Sequence, residues 1–257
     1  MITSTSNPQV KELLHLQKKS KARNERNVFI VEGIRMFREV PKDRLEKVYI
    51  SESFYNKKKG ELELDQFPVE ILSDKVFSHV SDTKTPQGVL SIVRQKTTSL
   101  DEILKVENPY LMILDNLQDP GNLGTIVRTA EGAGVTGILL SHDCVDIYNP
   151  KTIRSTMGSV YRMPFLYVDD MDQILQTLKQ EGIKTYAAHL QGKNCYDEED
   201  YKSGCAFLIG NEGNGLRKEI ADQADVWIRI PMHGQVESLN AAIAASVLMF
   251  EVCRQRR

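Results

Sequence analysis

The sequence predicts an α/β fold: a C-terminal α/β domain on a parallel sheet, preceded by a small α/β domain. In the C-terminal half, short continuous apolar segments alternate with helical patterns, which is typical of a parallel sheet covered by helices on both faces. The polar and charged segment 94–107 separates this region from a shorter α/β pattern before it. We therefore place the first domain at residues 1–100 and the second at residues 106–257.

The elements of the first domain are identified by their caps and apolar spacing. Asn7 and Pro8 indicate the start of a first helix, and apolar residues then recur at helical spacing. Strands are predicted at residues 28–31, 47–51 and 89–93, and a second helix at residues 33–40.

The elements of the second domain follow a regular alternation. Strands are predicted at residues 110–114, 137–140, 165–168, 185–189, 206–209 and 226–230, and helices at residues 122–133 and 239–254. Because open α/β sheets bind ligands at the carboxyl ends of their strands, the segments that follow these strands are where a site is expected.

Composition narrows the class of protein. The chain is 41% apolar and 26% charged, as in ordinary globular proteins, and it has no apolar segment long enough to cross a bilayer. Its N-terminus lacks the pattern of a secretory signal. The four cysteines form no Cys-x-x-Cys pair, which argues against a disulfide framework and a zinc site. We therefore expect a cytoplasmic protein without a metal or a membrane partner.

Charge is distributed unevenly along the chain. The net charge is −2, yet residues 1–60 hold 14 Lys and Arg against 7 Asp and Glu, a surplus of seven positive charges. Such a surplus suits a polyanionic partner such as RNA. A solvated helix face would show the same pattern, so charge alone leaves both interpretations open.

A first candidate site segment follows the strand at residues 110–114. Asp119-Pro120-Gly121 predicts a turn, and Asn122 is then expected to cap the next helix. Arg128 lies less than two turns into that helix. It is either a functional cation or a surface arginine paired with Glu131.

Two further segments also follow predicted strands. Residues 208–216 contain three glycines in the spacing Gly-x-x-Gly-x-Gly, which is neither a dinucleotide fingerprint nor a phosphate loop and could be a simple strand-to-helix turn. In residues 228–242, Ser238 and Asn240 bracket the start of the last helix, which capping alone would explain. His233 has no partner Ser or Cys at a recognisable spacing, so we interpret it as a loop histidine.

Together, and in this order, the three segments resemble the motifs of the SpoU family of RNA 2′-O-ribose methyltransferases, also called the TrmH family. Asn-x-Gly-x-x-x-Arg-Thr-Ala stands at residues 122–130, Gly-x-Glu-x-x-Gly-Leu at 210–216, and Ile-Pro-Met-x-Gly-x-x-x-Ser-Leu-Asn at 230–240. The resemblance is strong over residues 110–257. Residues 4–33 look like the N-terminal RNA-binding module common in these proteins.

The resemblance implies a deep trefoil knot in the C-terminal domain, which nothing in the strand pattern reveals. It also implies S-adenosylmethionine as the cofactor, held by main-chain groups of the knotted loops between apolar walls. The cofactor-binding residues implied by the motif match are Leu208, Gly210, Ile230, Met232, Leu239 and Asn240.

Arg128 matches the catalytic arginine of the family. Because a guanidinium stays protonated, we expect it to stabilise the developing alkoxide and fix the neighbouring phosphate. Asn122 and Glu212 are expected to orient Arg128 or the ribose. Ser238 and Asn240 are expected to hold the loop and the cofactor, which completes the predicted catalytic set.

The resemblance further implies an RNA substrate and a homodimer with its active site near the subunit contact. The cations expected to contact RNA are Lys18, Lys19, Lys21, Arg23, Arg26 and Arg154. Ribosomal RNA is favoured over transfer RNA, and the target nucleotide is not identified. The alternatives are a catalytically silent RNA-binding relative and a nucleotide-dependent oxidoreductase, the latter disfavoured by its glycine spacing.

Overall fold

The computed structural model describes residues 1–58, 60 and 62–257 and divides the chain into two compact units. The first unit consists of Met1–Lys96 together with Asp146–Tyr161. The second consists of Thr97–Val145 and Arg162–Arg257. The sequence pattern did not indicate that Asp146–Tyr161 packs with the first unit.

The helices and strands alternate along the chain. The helices are α1 (Pro8–Lys18), α2 (Ser20–Arg26), α3 (Ile34–Glu39), α4 (Glu52–Lys58), α5 (Asp74–Val80), α6 (Leu100–Leu104), α7 (Pro120–Gly132), α8 (Pro150–Thr156), α9 (Met171–Gln180), α10 (Lys218–Ala221) and α11 (Ala241–Gln255). The strands are β1 (Val28–Glu32), β2 (Leu45–Ser51), β3 (Val69–Leu72), β4 (Val89–Arg94), β5 (Tyr110–Leu114), β6 (Gly137–Ser141), β7 (Phe165–Val168), β8 (Lys184–Ala188), β9 (Asn194–Cys195), β10 (Cys205–Ile209) and β11 (Val226–Arg229).

The first unit is built on a four-stranded sheet in the order β1-β4-β2-β3, antiparallel except for the β2–β3 pair. Helix α1 begins as the sequence predicts, because the Asn7 side chain accepts a hydrogen bond from the Gln9 N–H at 2.9 Å and Pro8 follows the cap. Its buried face, which includes Leu13 and Leu16, joins the core that contains β1 and β4 residues.

A buried ion pair attaches Asp146–Tyr161 to the rest of the first unit. The Arg23 side chain is only 3% exposed, and its guanidinium donates hydrogen bonds to Asp146 and to the Leu16 carbonyl, the latter at 2.6 Å. Beside it, the rings of Phe29 and Tyr148 stack with centroids 4.5 Å apart. The prediction that Arg23 contacts RNA is therefore wrong, because its donors are used inside the unit.

The second unit is built on a seven-stranded sheet in the order β7-β6-β5-β10-β8-β11-β9, in which every described pair is parallel. Strands β5, β6 and β10 are buried along their whole length, as their continuous apolar sequences predict. The predicted α/β class, with a parallel sheet in the C-terminal half and a smaller α/β unit before it, is confirmed.

The strand order determines where the three motifs lie. The chain winds outward from β5 to β7 and then returns to the other side, where β10 pairs with β5. Because the strands are parallel, the segments after β5, β8, β10 and β11 leave one edge of the sheet. Those segments contain the three motifs.

Within the described part of the chain, no helix is both long and apolar enough to cross a membrane. The same residues contain no group of three or more His, Cys, Asp or Glu side chains placed to hold a metal ion.

We predict that Arg23→Ala lowers the free energy of unfolding of the first unit by about 3 kcal/mol, because it leaves the Asp146 carboxylate partly buried without its partner. Lys21→Ala is the matched control, because Lys21 lies on the same helix with its side chain 87% exposed; it should change stability by less than about 0.5 kcal/mol. Urea unfolding followed by circular dichroism measures both. Equal stability of the two variants would contradict the structural role of Arg23.

Candidate active site

A cavity of about 680 Å³ lies at the carboxyl edge of the parallel sheet. Its walls come from residues 188–191 after β8, 209–216 after β10, 228–232 at the end of β11, and 237–239 before α11. Cavities that bind small molecules and cofactors typically have volumes of roughly 300–1,000 Å³. The second and third motifs therefore form one pocket large enough for a cofactor.

The loop of the second motif folds tightly on itself. A Cβ atom at Gly210 would lie 2.2 Å from the Gly215 carbonyl carbon and 2.2 Å from the Leu216 nitrogen. The backbones of Asn211 and Gly215 exchange hydrogen bonds of 3.0 and 2.9 Å, and Gly215 has a φ of +69°. Glycine is required at position 210 by the loop's own backbone, before any ligand is considered.

An ion pair between a half-exposed arginine and a buried carboxylate fastens the same loop to the end of β5. The Asp115 carboxylate is fully buried and accepts hydrogen bonds from Arg217 Nε at 2.9 and 3.1 Å. This carboxylate raises the pKa of the Arg217 guanidinium above its usual value. Neither residue belongs to the sequence motifs. Their ion pair could not be predicted from the sequence, because the two residues come together only through the pairing of β5 with β10.

Glu212 of the second motif accepts hydrogen bonds from the start of the first motif's helix. Its Oε1 accepts from Asn122 Nδ2 at 3.0 Å and from the Asp119 N–H at 2.9 Å, and its Oε2 accepts from the Gln118 N–H at 3.1 Å. Partial burial alone would raise the pKa of Glu212, but these bonds outweigh it and hold the pKa below its usual value. Glu212 is thus a carboxylate committed to holding the loop.

Asn122 joins all three motifs. Helix α7 begins at Pro120 and is capped by Asp119, whose side chain accepts from the Asn122 N–H at 2.8 Å. The prediction that Asn122 caps this helix is wrong, and its side chain is free to bridge. Its Oδ1 accepts from Asn240 Nδ2 at 3.0 Å, while Asn240 Oδ1 caps α11 by accepting from the Ala242 N–H at 2.9 Å.

Arg128 lies on the exposed side of α7, the helix that packs against α11. Within the described part of the chain its side chain has no hydrogen bond or ion pair, and Glu131 instead accepts from Arg162 Nε at 2.7 Å. The alternative in which Arg128 pairs with Glu131 is therefore wrong. An exposed guanidinium on the helix that carries Asn122 in its first turn can bind an anion.

The predicted cofactor residues divide between the cavity and the core. Gly210, Ile230, Met232, Leu239 and also Ser238 line the cavity. Leu208 is fully buried in the hydrophobic core and Asn240 lies outside the lining, whereas their chain neighbours Ile209 and Ala241 belong to it. His233 is exposed and outside the lining, as expected of a loop histidine.

The wall formed by residues 188–191, which includes His189 and Gln191, was not predicted from the sequence. The signal was present, because these residues follow a predicted strand of the parallel sheet, where ligands bind. They carry no glycine motif, and their contribution became visible only when β8 was placed between β10 and β11.

The cations predicted to contact RNA belong to the first unit. Lys18, Lys19 and Lys21 are exposed. Arg26 forms ion pairs with Glu12 and Glu46, and Arg154 pairs with Asp82. Surface pairs of this kind are weak, so these two side chains can exchange partners with phosphate groups.

Family models match both parts of the chain. The model of the SpoU rRNA methylase family matches residues 109–250. That of an MRM3-like substrate-binding domain matches residues 7–91.

Relatives match the chain over nearly its whole length. The 23S rRNA (guanosine(2553)-2′-O)-methyltransferase RlmP of Bacillus subtilis is 32% identical, with 98% of each chain covered. The AdoMet-bound rRNA methyltransferase from Sinorhizobium meliloti is 33% identical, with a TM-score of 0.86 over 98% of this chain and 97% of the other.

A second solved structure extends the agreement in fold. AviRb from Streptomyces viridochromogenes, a SpoU methyltransferase in complex with AdoMet, has a TM-score of 0.88 over 97% of this chain and 98% of that one. At 24% identity this likeness concerns the fold alone, and it agrees with the α/β knot implied by the motifs. The chain belongs to the SpoU rRNA methylase family.

Proposed function

We propose that this protein transfers a methyl group from S-adenosylmethionine to a ribose 2′-hydroxyl in ribosomal RNA. The observation that carries the proposal is the joining of the three motifs by Asn122, which sets a cofactor-sized cavity beside the helix that bears Arg128, a cation with no ion pair among the described residues. The sequence relatives named for methylation of ribosomal RNA support the substrate class. Transfer RNA remains the alternative substrate.

The cavity fits S-adenosylmethionine in size and in the character of its lining. Gly210 lines the cavity within its tightly folded loop, and Ile230, Met232 and Leu239 offer apolar surfaces. When bound, the cofactor supplies an electrophilic methyl group on its sulfonium. The protein's part is to fix that group in line with the ribose oxygen and to exclude water.

Arg128 is proposed as the catalytic cation. Because a guanidinium remains protonated in proteins, it stabilises the negative charge that develops on the ribose oxygen and binds the adjacent phosphate. That charge develops as the hydroxyl proton passes to a phosphate oxygen or to water. Because Arg128 is exposed and forms no ion pair with any residue that the structure describes, it is available to bind RNA.

The remaining motif residues are proposed to position rather than to react. The side chains of Asn122, Glu212 and Asn240 form hydrogen bonds with one another and with backbone N–H groups. Ser238 is exposed at the cavity wall, where it is placed to hold the cofactor or the loop. Removing any one of the first three residues should therefore loosen the cavity.

The first unit is proposed to bind the RNA. Its basic residues 18, 19, 21, 26 and 154 give it the cations, and the substrate-binding model matched at residues 7–91 supports the same role. Along the sequence the proposed domain limits are 1–100 and 106–257, with residues 146–161 of the second segment packed in the first unit. Action on ribosomal RNA also supports the proposal of a cytoplasmic protein.

A homodimer is proposed through the exposed face of α11. Ile243, Val247 and Phe250 recur at helical spacing on this helix, and Ile243 and Phe250 are each 51% exposed. A second copy of the chain would cover these apolar side chains. The family resemblance implies the same assembly.

We predict that Arg128→Ala lowers methyl transfer about 100- to 1,000-fold, the usual cost of removing one group that stabilises charge in a transition state. The assay measures tritiated methyl incorporation into ribosomal RNA from cells that lack the protein. Binding of S-adenosylhomocysteine should be unchanged, because Arg128 lies outside the cavity lining. Thr125→Ala, at an exposed position one turn earlier on α7, is the control. Near wild-type transfer by the Arg128 variant would remove Arg128 from catalysis, and no transfer by the wild-type protein would favour a silent RNA-binding relative.

We predict that Phe250→Glu converts the protein from a dimer to a monomer, because it places a charge within the proposed apolar interface. Light scattering should give twice the chain mass of 29.1 kDa for the wild type and about that single mass for the variant. Gln176→Glu introduces the same charge on the exposed side of α9 and should remain dimeric. A monomeric wild type would exclude this interface.

A further inference from the structure

Two donor side chains leave neighbouring strands at one edge of the cavity. Strands β8 and β11 are parallel, with Ala188 paired with Ile228, so His189 and Arg229 occupy the next position of the ladder. Both residues line the cavity. Neither belongs to the motif positions from which the family was predicted.

The His189 ring is held in place on two sides. It packs on the Trp227 indole with ring centroids 4.2 Å apart. Its Nδ1 accepts a hydrogen bond from the Gln191 N–H at 3.1 Å. A ring nitrogen that accepts carries no proton, so the ring hydrogen lies on Nε2. Among the described residues nothing accepts from Nε2, which leaves one fixed donor for a ligand.

The backbone beneath His189 is fixed as well. The His189 N–H donates to the Ile228 carbonyl at 2.9 Å, and the Gly192 N–H closes a turn onto the His189 carbonyl at 2.9 Å. A Cβ at Gly192 would lie 2.6 Å from the Ile228 carbonyl carbon, so this turn presses directly on β11. The donor therefore has a defined position beside Arg229.

Arg229 supplies the positive charge. It is the only lysine or arginine among the described residues that line the cavity, and its side chain is exposed there. Two carboxylates also belong to the lining: Glu212, which is committed to Asn122 and to backbone N–H groups, and the exposed Glu237, which lies before α11 rather than at the end of β8 or β11. An anionic group in this cavity would consequently be attracted to the edge formed by His189 and Arg229.

We propose that His189 and Arg229 bind the carboxylate of the methionyl portion of the cofactor. This assignment rests on the proposed function and deepens it, because it orients the cofactor along the cavity. The carboxylate is the anionic group of S-adenosylmethionine, and it accepts one hydrogen bond from His189 Nε2 and another from the Arg229 guanidinium.

The test compares two ligands by isothermal titration of the full chain in the absence of RNA. S-adenosylhomocysteine carries the carboxylate, whereas 5′-methylthioadenosine keeps the adenosine and the thioether but lacks the amino-acid portion. The variants are Arg229→Gln and His189→Phe, the second of which preserves stacking on Trp227. Lys193→Gln removes a positive charge from the same loop outside the cavity lining and serves as the control.

We expect each of the two variants to bind S-adenosylhomocysteine about tenfold more weakly, which is the effect of losing one hydrogen bond to a charged group. Their affinity for 5′-methylthioadenosine should not change, and the control variant should bind both ligands as the wild type does. An equal loss of affinity for both ligands would show that the two side chains have only a structural role, and it would overturn the proposal. Unchanged affinity for S-adenosylhomocysteine in both variants would overturn it too. If the wild-type chain binds neither ligand, the proposed function itself fails.

Discussion

The site depends on the side-chain amide of Asn122, which donates to Glu212 and accepts from Asn240. Each of the three motifs leaves a different strand, and no covalent constraint holds them together. The amide has one donor side and one acceptor side, and each meets its complement at 3.0 Å. Aspartate or leucine of similar size would satisfy at most one side, since an aspartate lacks the donor and a leucine lacks both.

The hydrogen bonds of Asn122 distinguish the residues that position the site from the residue proposed to take part in the reaction. Polar residues that look catalytic in the sequence, such as Glu212, are used to hold loops, and the ionised carboxylate is matched by N–H donors rather than left for proton transfer. Arg128 differs because, within the described residues, it has no partner and lies on the helix that Asn122 anchors. In the proposed function the cation that meets a phosphate and a ribose is solvated, while the groups that shape the cavity are fixed in advance.

Much of the fold follows from local sequence. Strands such as Tyr110–Leu114 and Phe165–Val168 have the predicted bounds because continuous apolar segments ended by polar residues have few other conformations in a buried sheet. The position of the cavity could also be predicted, because the second and third motifs follow strands of the parallel sheet. Long-range pairing could not be predicted: Asn122 and Glu212 are 90 positions apart, and Arg23 and Asp146 are 123 apart. Arg23 therefore looked like one more surface cation, and the wall containing His189, which no motif marks, was missed.

The most direct test of this account is a double-mutant cycle on S-adenosylhomocysteine affinity with Asn122→Ala, Asn240→Ala and the double variant. Each single change should weaken binding, because it breaks the same Asn240–Asn122 bond and loosens the cavity. The loss of the α11 cap by Asn240→Ala cancels in the cycle. The account predicts a coupling free energy of about 0.5–1.5 kcal/mol between the two positions. The double variant should therefore lose less binding free energy than the two single variants lose in sum. Losses that add to within about 0.3 kcal/mol would contradict it.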